Sequence, residues 1–361
     1  MIAIIAYSIA GLYMFMVISF TFGWLKTPKF RPNKSLENPL VSLVICCKNE
    51  AQNLPQLLQS IEQQTTHNFE VIFANDHSTD ETPNILAEFC TKNPYAKLIH
   101  TTNHGKKHAL REAILHAQGG VIACTDSDCI LNPNHIEILA NYFAQHQPDL
   151  LLGGVKMSYN NTTFQKLQAL EFASLIASAA GACGLGMPIM SNGANIAFTK
   201  EIWKKHNYEL HDEELSGDDM FLLMAVKKSG GKIAFMKNYE TVIETKPQTT
   251  LNTFLNQRKR WSSKVKSYTD IQTVVVAIIV FLIALLFLSL FIGGFWQHSL
   301  FYHLLILFVA KWIVDSVFLA TFLPFLNQKQ LTPHSLGLSA VYPIYIVFSA
   351  FAGLKGKFNW K

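Results

Sequence analysis

The chain has 361 residues, with 30 Lys+Arg against 25 Asp+Glu, and half of its residues are hydrophobic. Formal charge is absent from residues 1–25 and limited in 271–361 to Lys311, Asp315, Lys329, Lys355, Lys357 and Lys361, which leaves 25 basic and 24 acidic residues for 26–270. A near-neutral stretch of that size can bury its own core, and the composition excludes a small disulfide scaffold, a disordered chain and a strongly basic nucleic-acid binder.

Residues 1–24 read MIAIIAYSIAGLYMFMVISFTFGW, with no charge. As a helix that length crosses a hydrocarbon core of about 30 Å. A cleavable leader starts with a positive segment and ends at a small-residue site. Neither is present, so an uncleaved anchor is expected. Lys26, Lys29, Arg31 and Lys34 follow it, and this basic flank places the next segment in the cytoplasm.

From residue 41 the pattern alternates. Residues 41–47, VSLVICC, form an apolar, β-rich run of the kind buried in a parallel sheet. Helical spacing follows over 53–64 at Leu54, Leu57, Leu58 and Ile61. Residues 69–74 read as a strand, 81–90 as a helix, 97–100 as a weaker strand, 106–117 as a helix closed by Gly119-Gly120, and 121–124 as a strand. This order predicts a doubly wound α/β sheet with ligands gathered at the carboxyl ends of the strands. Residues 164–180 are apolar and rich in small side chains, which suits a core helix or one at a membrane surface.

Three later blocks are apolar enough to span: 274–295, about 302–326 and about 336–353. Three crossings after a cytoplasmic domain put the tail 355–361 outside, whereas its three lysines favour the inside. Pro343 leaves a re-entrant or interfacial path open for the last block. Lys311 and Asp315 are four residues apart in the third span and share a helix face. They read as a self-neutralising pair, with contact to a lipid headgroup as the alternative.

Polar residues follow the strands in order: Lys48-Asn49-Glu50, then Asn75-Asp76-His77-Ser78-Thr79-Asp80, then Asp126-Ser127-Asp128. Each alone is an ordinary turn or helix cap. Three acidic groups on one sheet edge are harder to explain that way. Clustered carboxylates repel unless a cation joins them, and hard oxygen ligands suit Mg²⁺ or Mn²⁺ carrying phosphate. Gly217-Asp218-Asp219, preceded by Ser216, opens a helical run and satisfies the helix dipole in any case. Gln257-Arg258-Lys259-Arg260-Trp261 just before the second span also reads as a basic collar with an interfacial Trp.

In combination and order, these elements resemble the membrane-bound family-2 glycosyltransferases, whose catalytic domain has the GT-A fold. The resemblance covers about residues 40–262 and rests above all on the Asp-x-Asp triplet and the Gln-x-x-Arg-Trp element. It implies a transmembrane helix over 1–24, a cytoplasmic GT-A domain over 25–270 and a C-terminal transmembrane region over 271–361. It also implies that Glu50, Asp76 and the Lys106 region hold the nucleoside of a UDP- or GDP-sugar, joined by Asp126 and Ser127. Asp128, with Asp126, would bind the Mg²⁺ or Mn²⁺ that bridges the diphosphate. Asp219 matches the general base, and Asp218 takes a place usually held by Glu. Gln257, Arg260 and Trp261 match the element that closes over the diphosphate, and residues 191–195, Ser-Asn-Gly-Ala-Asn, the loop under the acceptor. Cys46 in place of Pro and Asn75 in place of Asp are departures from the family pattern.

A single base taking the acceptor proton opposite the leaving group predicts inversion at the anomeric carbon. The expected enzyme is therefore a metal-dependent inverting hexosyltransferase of the inner membrane. Its partners are a nucleotide-sugar, membrane lipids and a lipid or glycan acceptor, with no nucleic acid. Single transfer to a lipid is the leading reading, because three or four helices make a sparse conduit for a polymer. Processive synthesis of a β-linked polysaccharide is the alternative. A nucleotide-sensing transporter needs no base, and a nucleotidyltransferase would carry a glycine-rich phosphate loop. The six cysteines form no Cys-x-x-Cys pair and read as free thiols. His100, His104 and His108 fall on a strand end, a loop and a helix start, which does not make one zinc-binding face.

Overall fold

The computed structural model describes residues 2–209 and 217–355; Ser216 and the tail 356–361 lie outside the described residues. The chain runs α1 (Ile2–Lys26), β1 (Val41–Cys47), α2 (Leu54–Glu62), β2 (Phe69–Asn75), α3 (Thr82–Lys92), β3 (Ala96–His100), α4 (Lys106–His116) and β4 (Val121–Asp126). It continues through α5 (His135–His146), β5 (Leu150–Leu152), β6 (Val155–Met157), α6 (Thr163–Gly184), β7 (Ile196–Thr199), α7 (Lys200–His206) and α8 (Asp218–Lys228). The remaining elements are β8 (Ile233–Phe235), β9 (Ile243–Thr245), α9 (Leu251–Ser263), α10 (Ile271–Gly293), α11 (Ser299–Phe322) and α12 (Ser335–Lys355). Two compact units emerge, one α/β and one helical.

The α/β unit holds Pro28–Ser158 and Met190–Lys246. Its main sheet has the order β3-β2-β1-β4-β7-β5-β8. The strands β3, β2, β1 and β4 are mutually parallel, as the alternating pattern predicts. β7 enters antiparallel between β4 and β5, and β6 pairs with β9 in a small second sheet. Val41, Leu43, Val44 and Ile45 of β1 and Val71, Ile72 and Phe73 of β2 are wholly buried, which is why these strands lack charged alternation. In α2 the buried face is Leu54, Leu57, Leu58 and Ile61, at helical spacing. The end of the sheet away from the site carries one buried acid: Glu70 accepts from the Ser42 hydroxyl at 2.7 Å and pairs with Lys97 at 3.2 Å. Burial pushes its carboxyl up, but Ser42, the Gln118 amide and Lys97 outweigh this and hold it below the usual range.

Registry sets the functional edge. β1 lies between β2 and β4, with Cys47 level with Asn75 and Cys46 level with Asp126. The three polar loops therefore start at one height, on the carboxyl side of adjacent strands.

The helical unit collects α1, α6 and α9–α12. Among the described residues five stretches are long and apolar enough to cross a membrane: Ala3–Lys26, Thr163–Gly184, Ile271–Gly293, Ser299–Phe322 and Lys329–Gly353. The second is the most enclosed of them, two-thirds buried. It packs on α1 through glycine. A Cβ on Gly181 would stand 2.4 Å from the Phe20 carbonyl oxygen, and one on Gly23 would stand 2.1 Å from that of Gly181. Only the absence of a side chain allows the two backbones to come that close. Lys311 and Asp315 form the expected ion pair, and the Tyr13 hydroxyl donates to Asp315 at 2.9 Å. Pro343 lies inside a continuous α12.

Candidate active site

The loop after β1 is held by the loop after β2. Asn49 has a left-handed backbone (φ 54°), which Asn tolerates. Its side-chain oxygen accepts from the Thr79 amide at 2.8 Å, and its own amide donates to Ser78 Oγ at 3.0 Å. The Glu50 amide donates to Thr82 Oγ1 and the Ala51 amide to Asp80. Ser78, Thr79 and Asp80 therefore brace the neighbouring loop. Glu50 is buried and accepts from Asn53 Nδ2 at 2.6 Å, while Asn53 Oδ1 accepts from Lys246 at 2.9 Å.

Asp76 is 2% exposed. Its Oδ2 accepts from the Gly105 amide at 3.0 Å and lies 3.9 Å from Lys48 Nζ. Gly105 has φ 109°, a conformation that L side chains rarely adopt, and it opens α4. The next residue, Lys106, pairs through Nζ with Asp126 Oδ1 at 2.6 Å. Burial pushes the Lys106 ammonium down, but Asp126 and then Asp218 outweigh it, so the group stays protonated. Ser127 is buried between Asp126 and Asp128, which are both half-buried at the tip of β4.

The last carboxylates come from the start of α8, where Gly217 (φ 99°) supplies the left-handed N-cap. Asp219 Oδ2 accepts from the Gly193 amide at 3.0 Å. A Cβ on Gly193 would be 3.7 Å from both Lys106 Nζ and Asp219 Cβ, so these two side chains face the same glycine. Around it Asn195 ties the loop down, donating to the carbonyls of Gly154 and Thr241 at 2.8 Å each. The Ser191 hydroxyl is buried with no hydrogen-bond partner among the described residues. Burial pushes the Cys46 thiol up to about 12 and those of Cys124 and Cys129 well up, so these sulfurs are neutral packing groups and not nucleophiles.

The α/β unit thus brings together Asp126, Lys106, Asp218, Asp219 and the Gly193 amide, with Asp76 on the Gly105 side of Lys106. One cation faces several carboxylates, a donor set of hard oxygens that suits a divalent ion carrying phosphate. Gln257, Arg260 and Trp261 sit on α9 in the helical unit. There Arg258 is buried against Glu171 of α6, with its guanidinium carbon 4.1 Å from the Trp261 ring centre and 4.8 Å from that of Phe254. Sequence reasoning passed over this pair, although one Glu inside an apolar run was a usable signal. The resemblance singled out the loop 191–195, but not the bond from its Gly193 amide to Asp219.

The fold is thus a mixed α/β sheet with carboxylates and a lysine along the carboxyl edge of its parallel strands. Residues 42–204 match the family model described as glycosyl transferase family 2. Over these residues the α/β unit is similar to a family-2 glycosyltransferase domain. It is 31% identical over 127 residues to "Putative glycosyltransferase EpsH" of Bacillus subtilis (strain 168), covering 35% of this chain and 37% of the relative. It is 27% identical over 138 residues to "Poly-beta-1,6-N-acetyl-D-glucosamine synthase" of Staphylococcus epidermidis, covering 38% and 33%. The matches thus span little more than a third of these relatives. In fold it is similar to the mannosyltransferase PcManGT of Pyrobaculum calidifontis, solved with GDP-Man and Mn²⁺, with TM-score 0.60, 17% identity, and 95% of this chain and 99% of that one covered.

Proposed function

We propose that the protein is an inverting glycosyltransferase that moves a sugar from a UDP- or GDP-sugar to an acceptor carried in the membrane. The observation that carries the reading is the meeting of Lys106, Asp126 and Asp219 around Gly193. Asp76 and Glu50 are assigned to the nucleoside, and Asp126 and Ser127 to the sugar-diphosphate. Asp128 is assigned to a Mg²⁺ or Mn²⁺ ion, which when bound supplies countercharge to the diphosphate.

Asp219, oriented by the Gly193 amide, takes the proton of the acceptor hydroxyl. The acceptor oxygen bonds to the anomeric carbon as the bond to the diphosphate breaks, and that electron pair leaves with the diphosphate oxygen. Lys106, held as an ammonium, faces the charge that develops there. Attack opposite the leaving group inverts the centre, so an α-linked donor gives a β-glycoside. Gln257, Arg260 and Trp261 are assigned to closing the donor site. The placing of this domain on the cytoplasmic side of the inner membrane rests on the basic residues after α1.

A second reading, synthesis of a β-linked polysaccharide, draws support from the similarity to a relative whose name describes such a synthase. The test is to incubate membranes with radiolabelled nucleotide-sugars, with and without Mn²⁺ or Mg²⁺, and to compare label in the lipid extract with label in insoluble polymer. Asp219→Asn is expected to keep donor binding and abolish transfer. Substantial residual turnover would remove Asp219 as the base.

A further inference from the structure

Beside the cluster around Gly193 lies a group of side chains with different chemistry. The two oxygens of the buried Asp76 carboxylate are divided between two sets of neighbours. Oδ2 takes the Gly105 amide and faces Lys48. Oδ1 faces two imidazoles, 3.2 Å from His77 Nδ1 and 3.9 Å from His104 Nδ1. The three ligand atoms lie within 4.8 Å of one another, and among the described residues no other three His, Cys, Asp or Glu side chains gather in this way. The two rings stack, with centres 3.7 Å apart and planes at 29°. Neither imidazole is needed for the sugar transfer described above.

In a tetrahedral shell with bonds of about 2.0–2.1 Å, neighbouring ligand atoms stand roughly 3.3 Å apart. The His77 separation already matches, and a small rotation of the His104 side chain, 74% exposed, closes the other. Two imidazoles and one carboxylate form a borderline-soft donor set, suited to zinc and its neighbours and poorly suited to Mg²⁺. The bonds to Oδ2 act as an outer shell that fixes the carboxylate. The exposed imidazole side leaves an entry path and room for water as a fourth ligand.

We propose that Asp76, His77 and His104 bind one zinc-class divalent ion, at a site separate from the hard-cation position at Asp128. Resting on the assignment of Asp76 to the nucleoside, the ion and the nucleotide-sugar exclude each other, so zinc inhibits transfer by competing with the donor.

The test uses the full-length protein in detergent, stripped with chelator and titrated with Co²⁺. The expected result is one equivalent of tetrahedral Co²⁺, seen as an intense visible band that Zn²⁺ displaces. The band is lost in His104→Ala and in His77→Asn, the latter chosen because Asn tolerates the left-handed backbone of residue 77 (φ 52°). It is kept in His100→Ala and His108→Ala. No band, or a band unchanged by the first two variants, overturns the site. In transfer assays Zn²⁺ is expected to raise the apparent KM for the donor at least tenfold in the wild type and to leave it unchanged in the double variant His77→Asn/His104→Ala. Cobalt binding at these residues without competition would keep the site and overturn the exclusion, and with it the place of Asp76 in nucleoside recognition.

Discussion

Breaking the Arg258–Glu171 pair should destabilise the helical unit more than any surface charge could. Arg258 is 2% exposed and lies between the rings of Phe254 and Trp261. Its Nη2 reaches Glu171 Oε2, while Nε and Nη1 are buried with no hydrogen-bond partner among the described residues. Glu171 receives one further bond, from the Tyr345 hydroxyl at 3.3 Å. Arg258→Met therefore strands a buried carboxylate, and Glu171→Leu strands a buried guanidinium. Each single change should cost about 3–5 kcal/mol. The double change removes both desolvation penalties and the two orphaned nitrogens, which are worth about 1–3 kcal/mol each. It should return to within about 2 kcal/mol of the wild type and can exceed it. The assay is a four-cornered cycle of equilibrium unfolding in detergent micelles. Single variants within about 1 kcal/mol of the wild type, or a coupling energy below about 0.5 kcal/mol, would refute the claim that two buried charges depend on each other here.

Gly181→Leu should split α1 from α6, since its Cβ has no room beside the Phe20 carbonyl; a large loss of thermal stability is expected, against little change for Gly11→Leu, where no atom lies within 4 Å. Lys106→Met should lower kcat by at least ~100-fold if the ammonium has its proposed place opposite the departing diphosphate, while unfolding shifts little; equal losses in both measurements would make Lys106 structural. Acid should weaken the α/β unit through His135, which is buried and hydrogen-bonded to the Thr241 carbonyl at 3.1 Å. Burial pushes its pKa down from 6.5 to about 4, so the unfolded chain binds the extra proton first. Stability then falls as the pH drops from about 6.5 to about 4, by up to roughly 3 kcal/mol. His135→Gln should lose that part of the pH dependence when unfolding is followed across the same range.

The parallel core was legible because β1, β2 and β4 are buried on both faces and advertise it as largely apolar runs, broken only by the buried Ser42 and Glu70 and the polar ends of β2 and β4. Their ends were placed within one or two residues, since polar residues follow the apolar runs directly. β5, β6, β8 and β9 have three residues each, too few to display any period. The antiparallel entry of β7 was equally hidden, because strand direction is decided by its partners β4 and β5 and not by its own four residues. The grouping of α6 with α1 depends on glycines more than 150 positions apart in the chain, Gly23 and Gly181.

The candidate site shows the same division more sharply. Carboxylates after strands or at a helix start are local features, so Asp76, Asp126 and Asp128, and Asp219 at the start of α8, could be picked out one by one. What gives them chemistry is non-local: Lys106 reaches Asp126 across 20 positions, and the Gly193 amide holds Asp219 across 26. A backbone amide has no residue type, and no pattern of letters can reveal which glycine will present one. The orientation of Asp219, on which its proposed role as the base depends, is therefore a property of the loop at 191–195, and of Asn195, which pins that loop to Gly154 and Thr241. Asn195→Ala leaves every carboxylate in place, yet it should slacken the amide that aims Asp219. The change should lower kcat with little effect on donor KM. An unaltered kcat in a folded variant would mean that the carboxylate holds its orientation without the loop.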